Sequence, residues 1–331
     1  MTTGPVVVVA DANLAPLRAE FEAALPPDTE VRWPDPQDPA QVEAAVADAD
    51  VLVTGSCPAA VAAAGKRLRL VHAAGAGTDG IDVSALPPGV QVANTFHHED
   101  SIAEYVVAAT IVLRRRFLQQ DSALRRGDWD SPAYDPAAPW TESLAAATVG
   151  FVGYGHIGAR TWAGFRAFGA RGVAVTRRGD VDATAEGLDW TGTTDDLDPL
   201  LAAADVVVVS APLTSDTRGL IGSRRLGGMR PSAILVNVGR GPVVDQEALY
   251  AALRDGAIAG AAVDVWYDYP AGGNTGTPSA FPFHTLPNVF MTPHSSGLTR
   301  QTFTGRAADI AANIARLVAG QPLRHVVAVA R

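Results

Sequence analysis

The residues Thr148-Val149-Gly150-Phe151-Val152-Gly153-Tyr154-Gly155-His156-Ile157-Gly158 restrict the fold more than any other part of this chain. A short apolar run with strand character enters three glycines spaced G-x-G-x-x-G, and a segment suited to a helix leaves them. Gly153 predicts a tight turn off the strand, Gly155 a close approach of backbone to a pyrophosphate, and Gly158 a helix packed close to the strand. Such a helix starts with unpaired N–H groups and the positive end of its dipole aimed at the phosphate. A second β-like run, residues 172–176, follows at the distance a βαβ unit needs. The expected ligand is a dinucleotide, held at Gly153, Gly155, His156, Ile157 and Gly158.

The rest of the chain alternates in the same way. Strands are expected over 6–10, 30–33, 51–54, 68–74 and 90–94, then over 205–209, 233–238, 258–265 and 289–291. Helices are expected over 14–25, 42–46, up to 64, 102–117, up to 126, 195–204, 246–253 and 301–318. Ser101 reads as the N-cap of the helix from 102, with Glu104 completing a capping box, and Asp245 as a second cap. Residues 127–140 read as a surface loop and 271–277 as a glycine-rich one. Alternating strands and helices imply mostly parallel sheets covered on both faces, and 331 residues suffice for two domains with separate cores.

Charge and cysteine content narrow the partners. A net charge of −9 disfavours nucleic acid, because neutralising phosphates needs a basic face. No stretch is apolar enough to read as membrane-spanning, and the first residues lack the pattern of a signal peptide. One cysteine, Cys57, permits no internal disulfide, so a cytoplasmic setting is expected. No metal-ligand spacing is present, and His97-His98 is too isolated to supply one.

Chemistry-bearing residues recur at the expected carboxyl ends of strands. Arg240 lies between two glycines, Asp264 near the end of its strand, and His294 behind Pro293. In an open parallel sheet these ends line the crevice that holds the dinucleotide. A guanidinium suits a carboxylate, and an imidazole suits proton transfer near neutral pH. Gly75-Ala76-Gly77, also at a strand end, suits an amide nest for a carboxylate and equally a plain glycine turn.

Together, Gly75-Ala76-Gly77-x-Asp79, Ser101-Ile102-Ala103-Glu104, Gly153-x-Gly155-x-x-Gly158, Pro212-Leu213-Thr214, Asn237-Val238-Gly239-Arg240-Gly241, Asp264-Val265 and Thr292-Pro293-His294 resemble the D-2-hydroxyacid dehydrogenase family, in the right order over about 68–298. The resemblance implies two Rossmann-like or flavodoxin-like α/β domains: a substrate domain of 1–103 plus 295–331, and an NAD(P) domain of 104–294 inserted into it. It implies a homodimer and a small 2-oxo or 2-hydroxy acid substrate of the glyoxylate or hydroxypyruvate type. Arg240 would grip the substrate's carboxylate and carbonyl, His294 would protonate the carbonyl oxygen, and the Ala76 and Gly77 backbone would bind the carboxylate. Pro212, Thr217, Val238, Gly239, Asp264, His294 and Gly297 would join the glycine turn around the cofactor.

Two positions depart from the family pattern. Where the family carries a Glu that orients the histidine, this chain carries Tyr269, with Asp268 beside it. A phenol supports an imidazolium less than a carboxylate does. Formate dehydrogenases of the family share the Asp264-Val265-Trp266 opening and also lack that Glu, so oxidation of a small anion is one alternative. A cofactor-sensing binding protein without turnover is another. At the end of the second strand of the dinucleotide unit, where NAD enzymes carry an acidic residue, stand Thr176-Arg177-Arg178. Two guanidiniums suit a 2′-phosphate, so NADP is expected ahead of NAD.

Overall fold

The computed structural model describes residues 4–270 and 273–331, so the first two positions of the loop expected at 271–277 lie outside the described residues. The chain divides into two compact units, Met1–His97 with Leu298–Arg331, and His98–Gly297.

In the first unit, strands β1 (Val6–Ala10), β2 (Glu30–Arg32), β3 (Val51–Thr54), β4 (Leu70–His72) and β5 (Gln91–Ala93) form a parallel sheet in the order β2-β1-β3-β4-β5. This is the flavodoxin-type order. Residues Val326–Val329 add an antiparallel edge strand against β5. Successive side chains of a strand face opposite ways. Val7 and Val9 therefore pack with Phe21, Val51, Ile310 and Ile314 on one face, while Val8 packs with Val46, Leu52 and Val71 on the other. Burial on both faces explains why these strands read as valine runs.

Helix Arg300–Val318 covers the first of those faces with Phe303, Ala307, Ile310, Ile314 and Leu317, spaced three or four apart. Its Asn313 brackets Arg324, donating to the carbonyl at 3.0 Å and accepting from the amide at 2.8 Å. The same Asn313 amide lies 3.0 Å from Nε2 of the fully buried His72. His72 Nδ1 is 2.9 Å from the Ala73 carbonyl, which can only accept. The ring is thus held neutral, with the proton on Nδ1, and burial pushes its pKa down to about 4.

In the second unit, β6 (Thr148–Val152), β7 (Arg171–Val175), β8 (Trp190–Gly192), β9 (Val206–Val209), β10 (Ile234–Asn237), β11 (Gly260–Val263) and β12 (Val289–Met291) are all parallel, in the order β8-β7-β6-β9-β10-β11-β12. The order reverses between β6 and β9, as in a dinucleotide-binding sheet. Val152, Val175, Val207, Leu235 and Val263 sit in the core of one face; Phe151, Ala174, Val208 and Val236 sit in that of the other.

Two local expectations need correction. Ser101 is not a cap: the helix runs Glu99–Arg114, so Ser101 lies in its first turn and its hydroxyl donates back to the His98 carbonyl at 3.1 Å. Glu99 and Asp100 complement the dipole at the helix start, and Asp100 is paired with Arg160, which supports the extra residues. The helix expected over 14–25 is instead a 3-10 turn, Ala15–Leu17, which holds Pro16, followed by a shorter helix, Arg18–Ala23. The strands β8 and Val326–Val329 were outside the sequence reading.

Candidate active site

The first group of site residues lies at the switch point of the second sheet. Gly153 has φ +92°, and a Cβ there would lie 2.8 Å from the Ala211 amide nitrogen, so only glycine lets β6 turn against the end of β9. Helix His156–Ala167 follows, with Gly155 as its N-cap and no side chain capping it. Around Gly155 the space that a Cβ would fill is empty to 4 Å. His156 and Ile157 form the first helical turn. An uncapped helix start beneath an open glycine fits a pyrophosphate. Across the switch point, Thr217 closes the turn after β9, donating to the Pro212 carbonyl at 2.6 Å and accepting from the Thr214 amide at 2.7 Å.

Beyond β7, the Gly179 amide donates to the Thr176 hydroxyl at 2.9 Å, closing a turn that carries Arg177 and Arg178. Both arginines are exposed. Arg178 pairs with Asp180 at 2.7 Å, an exposed contact of the kind worth little. The strand end itself carries no carboxylate.

The second group gathers at the ends of β10, β11 and β12, which are neighbours in the sheet. Asn237 holds the turn after β10, accepting from the Gly239 amide at 3.2 Å and donating to the Arg240 carbonyl at 3.1 Å. A Cβ at Gly239 would meet the Ala211 carbonyl at 2.6 Å, so Val238-Gly239 lies against the turn after β9. Arg240 is half-buried, and its Nη1 donates to the Gly239 carbonyl at 2.9 Å.

Asp264, the first residue past β11, is fully buried. Its carboxylate accepts from the Thr292 hydroxyl at 2.6 Å, the Ser295 amide at 2.9 Å, and the Ser296 amide and hydroxyl. Those four donors come from the turn that carries His294, whose backbone is left-handed at φ +55°. Asp264 thus anchors the strained turn. Tyr105, on helix Glu99–Arg114, places its hydroxyl 2.9 Å from that of Thr292, and burial pushes this phenol's pKa up.

His294 is exposed, with Nδ1 3.1 Å from the Tyr269 hydroxyl. The same hydroxyl accepts from the Trp266 amide at 3.1 Å, while the Trp266 indole donates to the Thr292 carbonyl at 2.8 Å. Tyr269 therefore stands at the ring of His294; Asp268 is exposed and makes no side-chain bond among the described residues. Gly297 packs toward His98 and Ile102. The bonds from Tyr105 and Ser296 escaped the sequence reading, since no spacing rule links position 105 to position 292.

In the first unit, Gly75-Ala76-Gly77 follows β4. The Gly75 carbonyl accepts from the Thr95 amide at 3.2 Å and the Ala76 carbonyl from Asn94 Nδ2 at 2.8 Å. In a trans peptide the N–H points opposite to the C=O. The Ala76 and Gly77 amides therefore face away from those partners, and neither has an acceptor among the described residues. Cys57 is buried, which pushes its thiol pKa up to about 11 and makes it inert. Among the described residues, no group of three or more His, Cys, Asp or Glu side chains is placed to hold a metal ion.

A dinucleotide-binding sheet with an arginine, a buried aspartate and a histidine at successive strand ends defines the class: an oxidoreductase that uses a nicotinamide cofactor. The family described as "D-isomer specific 2-hydroxyacid dehydrogenase, NAD binding domain" matches residues 107–296. A glyoxylate reductase of Thermofilum pendens is 34% identical over 274 residues, 82% of this chain and 78% of that protein. A D-3-phosphoglycerate dehydrogenase of Mycobacterium leprae is 33% identical over 96% of this chain, which spans only 57% of that longer protein. The crystal structure of a D-isomer specific 2-hydroxyacid dehydrogenase from Xanthobacter autotrophicus, in complex with NADPH and MES, superposes with a TM-score of 0.78 at 27% identity, covering 98% of each chain. The chain belongs to the D-isomer-specific 2-hydroxyacid dehydrogenase family.

Proposed function

We propose that this chain reduces a small 2-oxo acid of the glyoxylate or hydroxypyruvate type to its D-2-hydroxy acid, or runs the reverse, with NADP(H) preferred over NAD(H). The observation that carries this reading is the Tyr269–His294 pair, set on a turn anchored by Asp264 two strands from Arg240. A bound nicotinamide cofactor supplies the hydride. Gly153, Gly155, His156, Ile157 and Gly158 would hold its pyrophosphate, and Pro212, Thr217, Val238, Gly239, Asp264 and Gly297 would line the rest of its bed. Arg177 and Arg178 would take the 2′-phosphate, which the missing carboxylate at that strand end supports.

Arg240 grips the substrate's carboxylate and carbonyl, stabilising the charge that develops on oxygen. In the first unit, the Ala76 and Gly77 amides are assigned the substrate carboxylate. His294 delivers a proton from Nε2 to the carbonyl oxygen. The Tyr269 oxygen has two lone pairs, so it accepts the Trp266 amide and the Nδ1–H of His294 together. With Nδ1–H of the imidazolium held against the phenol, Nε2 is the nitrogen assigned to proton delivery. A homodimer belongs to the same proposal. No helix among the described residues is long and apolar enough to cross a membrane.

The test is initial-rate reduction of glyoxylate, hydroxypyruvate, pyruvate and bulkier 2-oxo acids, with NADPH and NADH in parallel and formate oxidation as a further arm. Turnover on one small 2-oxo acid, faster with NADPH, is expected. Equal or better rates with NADH would refute the assignment of the two arginines. Tight NADP(H) binding with no 2-oxo acid turned over would move the reading to formate-like oxidation, the alternative raised by the lack of the family's Glu, or to a cofactor sensor.

A further inference from the structure

The Ala76–Gly77 amides have a charged neighbour from the other end of their unit. Arg306 projects from helix Arg300–Val318, and a Cβ built on Gly75 would lie 3.6, 3.8 and 3.9 Å from its Nη1, Cζ and Nη2. Three nearly equal distances mean that the guanidinium turns its flat face toward Gly75, with room between them for a methyl group. Its Nε donates to the Phe96 carbonyl at 2.9 Å, and its Cζ stands 5.0 Å from the Phe303 ring centroid. Carbonyl and ring together fix the group, which is half-buried and so poorly screened. Asp11, just past β1, feels this charge: burial pushes its carboxyl pKa up and Arg306 pulls it partly back.

We propose that Arg306 is a specificity-determining positioning residue: its guanidinium adds a fixed positive charge to the Ala76–Gly77 amide nest and so selects anionic 2-oxo acids. The proposal rests on the carboxylate assignment made above for those amides. A methyl group at position 75 would meet the guanidinium only at ordinary contact, so the placement of Arg306 does not depend on glycine there. Arg306 touches neither the reacting carbon nor the carbonyl oxygen; it acts through the nest, on affinity and not on the chemical step.

The two charges predict opposite effects, which a purely structural role would not. Arg306→Met is expected to raise KM for the 2-oxo acid roughly tenfold with kcat little changed, since one nearby charge at intermediate dielectric is worth about that much. Arg306→Lys keeps the charge and should stay within about threefold of wild type. Asp11→Asn, which retains an acceptor for the Asn13 amide now bound at 2.9 Å, should lower KM. In parallel, oxamate, an isostere of a 2-oxo acid, is titrated into the intact protein while the Ala76 and Gly77 amide resonances are followed. The same ranking of dissociation constants is expected: Met weakest, Asn tightest.

Equal affinity in Arg306→Met, or weaker binding in Asp11→Asn as well as in Arg306→Met, would overturn the proposal. Should Arg306→Met fail to fold, the Lys and Asn variants decide it on their own. If wild type turns over no 2-oxo acid yet oxamate moves those amides with this ranking, the reaction proposed above fails while the role of Arg306 stands. If oxamate leaves them unmoved in an active enzyme, the carboxylate assignment and the role of Arg306 fall together.

Discussion

Two strand-end turns, one in each unit, differ in how strictly they need glycine. At Gly153 the backbone demands it: φ is +92° and the Ala211 backbone stands where a side chain would go. At Gly75 nothing demands it: a Cβ would meet only the Arg306 guanidinium, at ordinary contact, brought there by a helix more than two hundred residues later. The first turn leaves an open helix start for a phosphate; the second places a cation behind two outward amides. On the roles proposed above, one anion site would be made of backbone alone and the other would have a charge added to it.

The largest expected effect tests that contrast directly. Gly153→Ala forces an alanine into a left-handed, crowded position, costing about 1–3 kcal/mol of stability. It should weaken NADP(H) binding by roughly a hundredfold, read by thermal denaturation and cofactor fluorescence. Gly75→Ala meets only ordinary contact at 3.6 Å, so its melting temperature and cofactor affinity should stay near wild type. Comparable cofactor loss in both variants would erase the distinction.

A second difference lies in the histidines. His72 is sealed in the first unit with a pKa of about 4, whereas His294 is exposed in the second. An unfolded chain takes up the proton near 6.5 and the folded one only near 4, so the unfolded state binds more protons between those values. Stability is therefore full above about pH 6.5 and falls as the pH drops toward 4, by about 3 kcal/mol from this group. Hydrogen exchange should find the β4 amides losing protection as the pH falls. His72→Asn should flatten the pH dependence of unfolding in that window; an unchanged slope would remove His72 as its cause.

The smallest effect concerns His294. Its phenol partner carries no charge, so Tyr269→Glu should favour the imidazolium and move the alkaline limb of 2-oxo acid reduction upward by about one pH unit. Tyr269→Phe should lower kcat without that upward move. A limb unmoved by Glu would mean that position 269 does not act on the ring.

Local chemistry was legible in the sequence, and long-range contacts were not. The valine runs of β1, β3, β6 and β9 mark strands buried on both faces, and G-x-G-x-x-G marks the turn after β6, because each depends on neighbours in sequence. Arg240, Asp264 and His294 could be placed at strand ends for the same reason. Helix Glu99–Arg114 starts three residues before the expected 102, since the support of Asp100 by Arg160 comes from sixty positions away. Tyr105 reaching Thr292, and Arg306 facing Gly75, depend on how helices pack over sheets, which no periodicity encodes.

The first unit closes only with residues that follow the second. Phe303, Ile310 and Ile314 fill the face opened by Val7 and Val9, and Val326–Val329 pairs with β5. On the ribosome, the contiguous unit His98–Gly297 is therefore complete in the nascent chain while the opening sheet still lacks a covering helix and an edge strand. Until translation passes that helix, the valine face of β1 and β3 has only Leu14, Leu17 and Phe21 to cover it, exposed apolar surface of the kind that invites aggregation during synthesis.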